Sequence, residues 1–469
     1  GLKLASYHRS SSSSRSRSSS RSSSHLMHAM RERSIEHEIE HGPNLRASAG
    51  APAWRRSCLV RRSCLLLMKI AQFHFSSRRS PFARGVVFQT LPAVVLLSTL
   101  HLMIMKLSTA MAIALMAPTV STAPISDFDD VAFANENRAR IVDKVNNDAS
   151  IPWTAAKVPS SRFADKPYSV LKMMAGALGE AGENEAGLPI MSLEELQAHA
   201  VKLGLSTDIP ESFEAQDNWP QCEIITEIRD QSACGSCYAV SAASAASDRY
   251  CIGNNGTKSD RLSAVDLMSC CKTCASSNGG CDGGTVSATW DYMKTQGIAT
   301  GGDYGDRSQC LMYPWGPCNH HEDGSYEDCP DDPYFAPACM WSCDTTGNTE
   351  HHDYDRDQLT HRFSTSYKVV ATVAAIQTDI MTHGPVQASM YLVDSFEVYE
   401  SGVYTTNSKD YIGMHAVRIV GWGVDDGTPY WTVANSWNEE WGEDGYFRIE
   451  QGKDVLSIEA GVVAGTLDW

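Results

Sequence analysis

The stretch DQSACGSCYAV, residues 230–240, sets two thiols three residues apart, and that spacing can serve three kinds of chemistry. The pair can exchange electrons, hold half of a zinc site, or divide, with Cys234 in a structural bridge and Cys237 as a reactive nucleophile. A redox pair is expected inside a thioredoxin-like βαβ pattern, and none surrounds this one. Structural zinc needs two ligand pairs. CCKTC and CMWSC further on could supply cysteines, but zinc would leave the His415 and Asn435 segments without a role. On the divided reading Cys237 opens a run of small residues, 236–252, with helical composition. Its sulfur then lies near backbone N–H groups and the positive end of the helix dipole, which favours a thiolate below the usual thiol pKa of about 8.5. A nearby imidazolium lowers that pKa further and supplies a proton for a leaving amine.

Such a thiol needs a frame to hold it. Thirteen of the 15 cysteines fall between Cys222 and Cys343, a density that reads as the disulfide framework of an exported chain. Thirteen is odd, so one thiol is left over. The sequon NGT makes Asn255 a glycosylation acceptor in that setting. The last hundred residues change character: HAVRIVGWG, PYWTVANSW and GYFRIEQG are β-rich runs bounded by Gly, Asp and Pro. A helical, bridged half followed by a β half predicts an α+β protein of two subdomains with a functional cleft between them.

Residues 124–207 contain no cysteine. ENRARIVDKVNN carries Ile141, Val142 and Val145 on one helical face, and SLEELQAHAVKLG carries Leu193, Leu196 and Ala200. GALGEAGENEAGLP between them is an exposed stretch open to proteolysis. Pro210 imposes an extended entry to the cysteine-bearing region. Further upstream, residues 1–106 hold 17 Lys and Arg against four Asp and Glu, a charge of +13 that leaves −30 on the rest. An acidic body of that size has no electrostatic footprint for nucleic acid. The Ser/Arg run HRSSSSSRSRSSSRSSS cannot bury a core. From Met105, MKLSTAMAIALMAPTVSTAP has the layout of a secretory signal peptide. Residues 105–123 are therefore expected to be a signal peptide and 1–104 a disordered, low-complexity extension outside the working protein. A competing membrane anchor would join the apolar run 85–105 to this one, interrupted by Pro92, His101, Lys106 and Pro118.

CGSCY, MHAVRIVGWG and VANSWNEEWGEDGYF, in this order, resemble the cysteine, histidine and asparagine blocks of the papain-like cysteine proteases, and the likeness runs from about Ile209 to Gly465. It implies a papain-like fold, with a helical left domain, a β-barrel right domain and a catalytic cleft between them, preceded by a propeptide. It makes Cys237 the nucleophile and His415, 178 residues later, its acid/base partner. Asn435, 20 residues beyond, orients the ring. Gln231 and the Cys237 N–H form the oxyanion hole, and Trp437 covers the His–Asn pair. Gly283 and Gly284 would line the cleft and bond the substrate backbone. The implied activity is peptide-bond hydrolysis through a thioester acyl-enzyme, without metal or cofactor. Implied partners are protein and peptide substrates, the chain's own propeptide as inhibitor, and cystatin-like inhibitors of a monomeric mature form. The implied destination is the secretory pathway, ending in a lysosome, a vacuole or outside the cell.

Within the family the resemblance is nearest to the cathepsin B branch, through DNWPQC, EIRDQSACGSC, GWGVDDGTPYWTVANSWNEEWG and VVAG. That branch implies a peptidase domain over 208–469 and a propeptide over 124–207, with Trp153 as its anchor. It implies the bridges Cys222–Cys251, Cys234–Cys281, Cys270–Cys339, Cys271–Cys274, Cys310–Cys343 and Cys318–Cys329. CNHHEDGSYEDC resembles the branch's occluding loop, in which His320 and His321 would take a substrate's terminal carboxylate and favour release of dipeptides. Four departures qualify the likeness. Tyr238 stands where Trp is usual, and Met414 replaces Gly beside the catalytic ring. Asp230 is present to meet His320, but Tyr326 and Glu440 replace the second ion pair of the loop, which predicts a looser loop and mixed endopeptidase and dipeptidase activity. Gly461 replaces the acid at the base of the second specificity pocket, which predicts a preference for apolar over basic side chains. Intact Cys237, His415 and Asn435 argue against a silent binding protein on the same scaffold; acyl transfer by the same chemistry stays open.

Overall fold

The computed structural model describes residues 130–157, 163, 166–179, 183–184, 186–319, 326–330, 332–343 and 353–467. The Ser/Arg run, the signal-like segment, the apolar run 85–105, and His320 and His321 lie outside them. Among the described residues before 208, three helices and two short strands form: α1 (Asp130–Asn147), β1 (Trp153–Ala155), α2 (Tyr168–Met174), β2 (Ile190–Met191) and α3 (Leu193–Lys202). α3 begins with a capping box. The Ser192 hydroxyl accepts from the Glu195 N–H at 3.2 Å and the Glu195 carboxylate accepts from the Ser192 N–H at 2.9 Å, so two otherwise unpaired donors are satisfied. α1 buries Arg138 with Val145 of the apolar face read from its sequence, and Ile141 and Val142 of that face are partly buried. Nε and Nη2 of Arg138 donate to the two carboxylate oxygens of Glu397 at 2.8 and 3.2 Å, with both side chains inaccessible to solvent. Removing one partner of such a pair strands a buried charge at a cost of about 3–5 kcal/mol.

The remainder supplies α4 (Cys237–Gly253), α5 (Val286–Thr295), β3 (Tyr367–Val369), α6 (Val373–His383), β4 (Val386–Val393), β5 (Tyr399–Tyr404), β6 (Tyr411–Asp425), β7 (Thr428–Ala434), β8 (Tyr446–Glu450) and β9 (Val462–Ala464). One sheet runs β1-β5-β8-β7-β6-β4-β9-β3-β2. Its two ends belong to the region before 208: β1 pairs antiparallel with β5, Trp153 opposite Gly402, and β2 pairs parallel with β3, Ile190 opposite Lys368. Open strand edges that would expose unpaired backbone are thereby covered. Trp153 lies against Tyr399 and Tyr404, with ring centroids 6.2 and 4.9 Å away, and donates its indole N–H to the Thr405 carbonyl.

Two cores result. One is built on the sheet and takes in Trp153, Phe163, Leu171 and Leu196 from the region before 208. The other surrounds α4. The Ala and Ser content of α4 lets neighbours approach its backbone closely, and Ala239, Ala242, Ala243, Ala245 and Ala246 are fully or almost fully buried. Ser241, Ser244 and Ser247 satisfy their hydroxyls without water by donating to the carbonyls four residues earlier, at 2.6–2.8 Å. Six bridges staple the helical side: Cys222–Cys251, Cys234–Cys281, Cys270–Cys339, Cys271–Cys274, Cys310–Cys343 and Cys318–Cys329.

Candidate active site

Cys237 is the first residue of α4, is fully buried, and is the free cysteine among the described residues. The loop in front of it is held on both sides. Cys234 is bridged to Cys281, the Gly235 N–H donates to the Cys281 carbonyl at 2.9 Å, and the hydroxyls of Ser236 and Tyr313 lie 2.9 Å apart. The Tyr313 hydroxyl also donates to the Gln231 carbonyl at 3.0 Å.

His415 lies on β6, opposite Met390 of β4, and this register sets where the ring points. Asn435 comes directly after β7, with its N–H bonded to the Gly445 carbonyl. The Asn435 side-chain oxygen is 2.7 Å from His415 Nε2 and also accepts from the Ser436 N–H at 2.8 Å. The Asn435 oxygen only accepts, so the imidazole presents an N–H at Nε2 and turns Nδ1 the other way. Trp437 covers the pair, with its ring 5.0 Å from that of His415. The helix bearing Cys237 and the strand bearing His415 are clamped together by a buried bidentate ion pair. Arg418 Nη1 donates to both oxygens of Asp248 at 2.9 and 2.7 Å.

Gln231 is fully buried. Its side-chain oxygen accepts from the Ser436 hydroxyl at 2.7 Å, which orients the amide nitrogen to donate to the carbonyls of Cys234 at 2.8 Å and Met174 at 3.1 Å. Met174 ends α2, so a carbonyl of the region before 208 occupies the donor. The chain then runs on through the cleft. The Ala177 N–H donates to the Met414 carbonyl at 3.1 Å, the Gly284 N–H to the Gly176 carbonyl at 2.9 Å, and the Leu178 N–H to the Gly284 carbonyl at 2.9 Å. Gly283 precedes that contact at φ 96°. Gly176 is required where it sits, since a Cβ would collide with the Gly235 carbonyl. Phe163 packs edge-on against Trp437, centroids 5.3 Å apart.

This cover changes the sulfur. Burial pushes the Cys237 thiol up to about 11, although backbone N–H groups of Ala416, Gly176, Tyr238 and Ala177 act to lower it. The thiolate expected at a helix start is therefore not the state of the covered chain. The helix terminus is present as read, but the segment over the cleft excludes the water a charged sulfur needs.

The other sequence-derived positions are distributed around this centre. Met414 is buried in the core around α4 and borders the cleft through its carbonyl. Gly461 is packed on Ser389, whose N–H donates to the Gly461 carbonyl at 3.1 Å; a Cβ there would collide with the Ser389 carbonyl. Asp230 accepts from the N–H groups of Ser232 and Cys318 and from the Asn438 amide, tying down the start of the bridged loop. Tyr326 is partly exposed, and Asn255 is exposed in a turn after α4. Sequence reasoning missed Ser436, the Arg418–Asp248 clamp and the Met174 carbonyl. Ser436 could have been found as the neighbour of Asn435; the other two leave no local signal. Among the described residues no cluster of His, Cys, Asp or Glu is placed to hold a metal ion, and no helix is long and apolar enough to cross a membrane.

Comparison with known proteins places this arrangement. The family described as "Papain family cysteine protease" matches residues 209–466. Cathepsin B-like cysteine proteinase 6 of Caenorhabditis elegans is 43% identical over 328 residues, covering 69% of this chain and 82% of that protein. The cathepsin B-like cysteine proteinase of Schistosoma japonicum is 44% identical over 263 residues, covering 56% and 75%. Among solved structures, procathepsin B S9 from Trypanosoma congolense superposes with a TM-score of 0.57 at 33% identity, covering 70% of this chain and 98% of that one.

Proposed function

Since the chain belongs to the papain family of cysteine proteases, as a cathepsin B-like member built as a zymogen, we propose that it hydrolyses peptide bonds with Cys237, His415 and Asn435. With the segment 174–178 displaced, a substrate carbonyl takes the place of the Met174 carbonyl beside Gln231. The Cys237 sulfur attacks the carbonyl carbon, and the resulting oxyanion accepts from the Gln231 amide and the Cys237 backbone N–H. His415 passes to the leaving amine the proton that its Nδ1 takes from the Cys237 thiol, the C–N bond breaks, and a thioester remains on Cys237. Water then attacks the thioester while His415 accepts the water's proton, releasing the acid and restoring the sulfur. Asn435 keeps the ring turned toward the sulfur through its 2.7 Å contact with Nε2. One observation supports this reading: the Gln231 N–H, in the loop that leads to the free Cys237, donates to the Ser436 carbonyl at 2.9 Å, directly after the Asn435 whose side-chain oxygen lies 2.7 Å from His415 Nε2.

The test is Gln231→Ala. Loss of one oxyanion donor lowers kcat by about 10²–10³-fold with little change in KM. Unchanged kcat in steady-state assays of the processed enzyme would remove Gln231 from the mechanism.

The propeptide is assigned to residues 124–207 and the peptidase domain to 208–469, with the product entering the secretory pathway toward a lysosome, a vacuole or the exterior. His320 and His321 would bind a substrate's terminal carboxylate and add C-terminal dipeptidase action to endopeptidase action. With Gly461 at the base of the second pocket, an arginine side chain finds no acid there. A peptide-library cleavage profile is expected to favour apolar residues such as Phe over Arg at that position by roughly tenfold or more; a preference for Arg removes Gly461 from the pocket.

A further inference from the structure

The loop that carries Gln231 and leads to Cys237 is held by an aromatic group from further along the chain. Tyr313 is buried, edge-on to Trp315 with ring centroids 5.6 Å apart, and Trp315 stacks on Tyr334 at 4.8 Å. The Tyr334 N–H donates to the Ala233 carbonyl at 2.8 Å, which fixes this group to the same loop. The hydrogens at Tyr313 follow from its partners. A phenol has one proton, and the Gln231 carbonyl 3.0 Å away only accepts, so that proton points to Gln231. The Ser236 hydroxyl, 2.9 Å from the phenol oxygen, is then the donor of that pair. A relay thus runs from the residue before the nucleophile, through Tyr313, to Gln231. Burial pushes the Tyr313 hydroxyl well above its usual value, so it remains a donor at neutral and acid pH.

The peptide held by this hydroxyl is strained. Ser232 has φ 52°, a left-handed conformation that costs a residue with a Cβ about tenfold in population. Such a conformation persists where its surroundings over-determine it, and here the 231–232 peptide is pinned at both ends. Its carbonyl accepts from Tyr313, and its N–H donates to Asp230 Oδ1 at 2.6 Å. The rest of Gln231 is fixed by Ser436, whose carbonyl accepts from the Gln231 N–H at 2.9 Å and whose hydroxyl donates to Gln231 Oε1 at 2.7 Å. That leaves Nε2 to face the cleft, where it donates to the Met174 and Cys234 carbonyls. A phenylalanine would fill the same space as Tyr313; the hydroxyl adds direction.

We propose that Tyr313 is a positioning residue for the oxyanion hole: its hydroxyl holds the strained 231–232 peptide, and with it the Gln231 amide, at the place where the oxyanion forms. This rests on the reading that Gln231 donates to that oxyanion. Tyr313 touches no reacting atom and acts through Gln231. Without the hydroxyl the peptide relaxes out of the left-handed conformation, and the amide meets the oxyanion in a minority of molecules.

The experiment is a double-variant cycle on the processed enzyme, with Tyr313→Phe, Gln231→Ala and the two together. Tyr313→Phe is expected to lower kcat about tenfold with KM within about twofold. Once Gln231→Ala is present, adding Tyr313→Phe should change kcat by less than about twofold. Alkylation of Cys237 by iodoacetamide, which forms no oxyanion, should stay within about twofold in Tyr313→Phe. An undiminished loss beside Gln231→Ala overturns the proposal, as does a kcat in Tyr313→Phe within about twofold of the parent. Alkylation slowed as much as kcat also overturns it, because the hydroxyl then serves the sulfur. If Tyr313→Phe does not fold, Ser236→Ala replaces it in the cycle, since it removes the donor that directs the phenol. A fall in kcat of about threefold that disappears beside Gln231→Ala supports the relay; no fall, or an equal fall in both backgrounds, overturns it. Failure of the underlying reading is seen separately, as unchanged kcat in Gln231→Ala alone.

Discussion

Cys237→Ala is expected to lower kcat/KM of the processed enzyme on peptide substrates by at least about 10⁴-fold. The loss is large because nothing replaces the sulfur: the other described cysteines are consumed by six bridges, and Cys237 is the free one, at the start of α4. Folding should survive, since the change shortens one side chain at the mouth of a helix and leaves every bridge intact. A covalent epoxide or vinyl-sulfone probe should label the processed enzyme and fail on the variant. Activity within about tenfold of the parent, with folding intact, would falsify the nucleophile assignment.

Before processing, the same thiol should be nearly inert. At pH 7 a thiol held at about 11 is ionised in about one molecule in 10⁴. Alkylation of Cys237 by a small neutral reagent is therefore expected to be at least about 10³-fold slower in the uncleaved chain than after the segment over the cleft is gone. The pH dependence gives a second readout. Because the pKa is raised, thiolate appears only as pH climbs, so the rate in the uncleaved chain should rise about tenfold per unit from neutrality toward 11. Removing the cover admits water and, with His415 paired to the sulfur as proposed, the profile should then flatten near neutral pH. Equal rates before and after processing would mean that residues 174–178 do not shield the sulfur in solution.

The legible parts of the protein were those written in neighbouring residues. The small-residue run after Ser236 reads as a closely packed helix from its Ala and Ser content, and it forms α4. HAVRIVGWG and PYWTVANSW are β-rich runs bounded by Gly and Pro, and they lie in β6 and in and just after β7. α1 shows where local patterning stops: its apolar face was readable, but Arg138 is buried with it because Glu397, 259 residues away, receives it.

What the sequence by itself determined was composition and order: an odd number of cysteines in the bridged region, a thiol preceding a small-residue helix, and His and Asn blocks in the order of a known family. Tertiary structure alone decided the condition of those groups. Whether the sulfur is charged depends on the chain from Met174 to Leu178, folded over it from about 60 residues upstream. Where the Gln231 amide points depends on Ser436, and the buried contact of His199 with His383 joins rings 184 residues apart. Protonation and hydrogen-bond direction respond to the solvent and charge within a few ångströms, and distant segments supply that surrounding only once the chain has closed on itself.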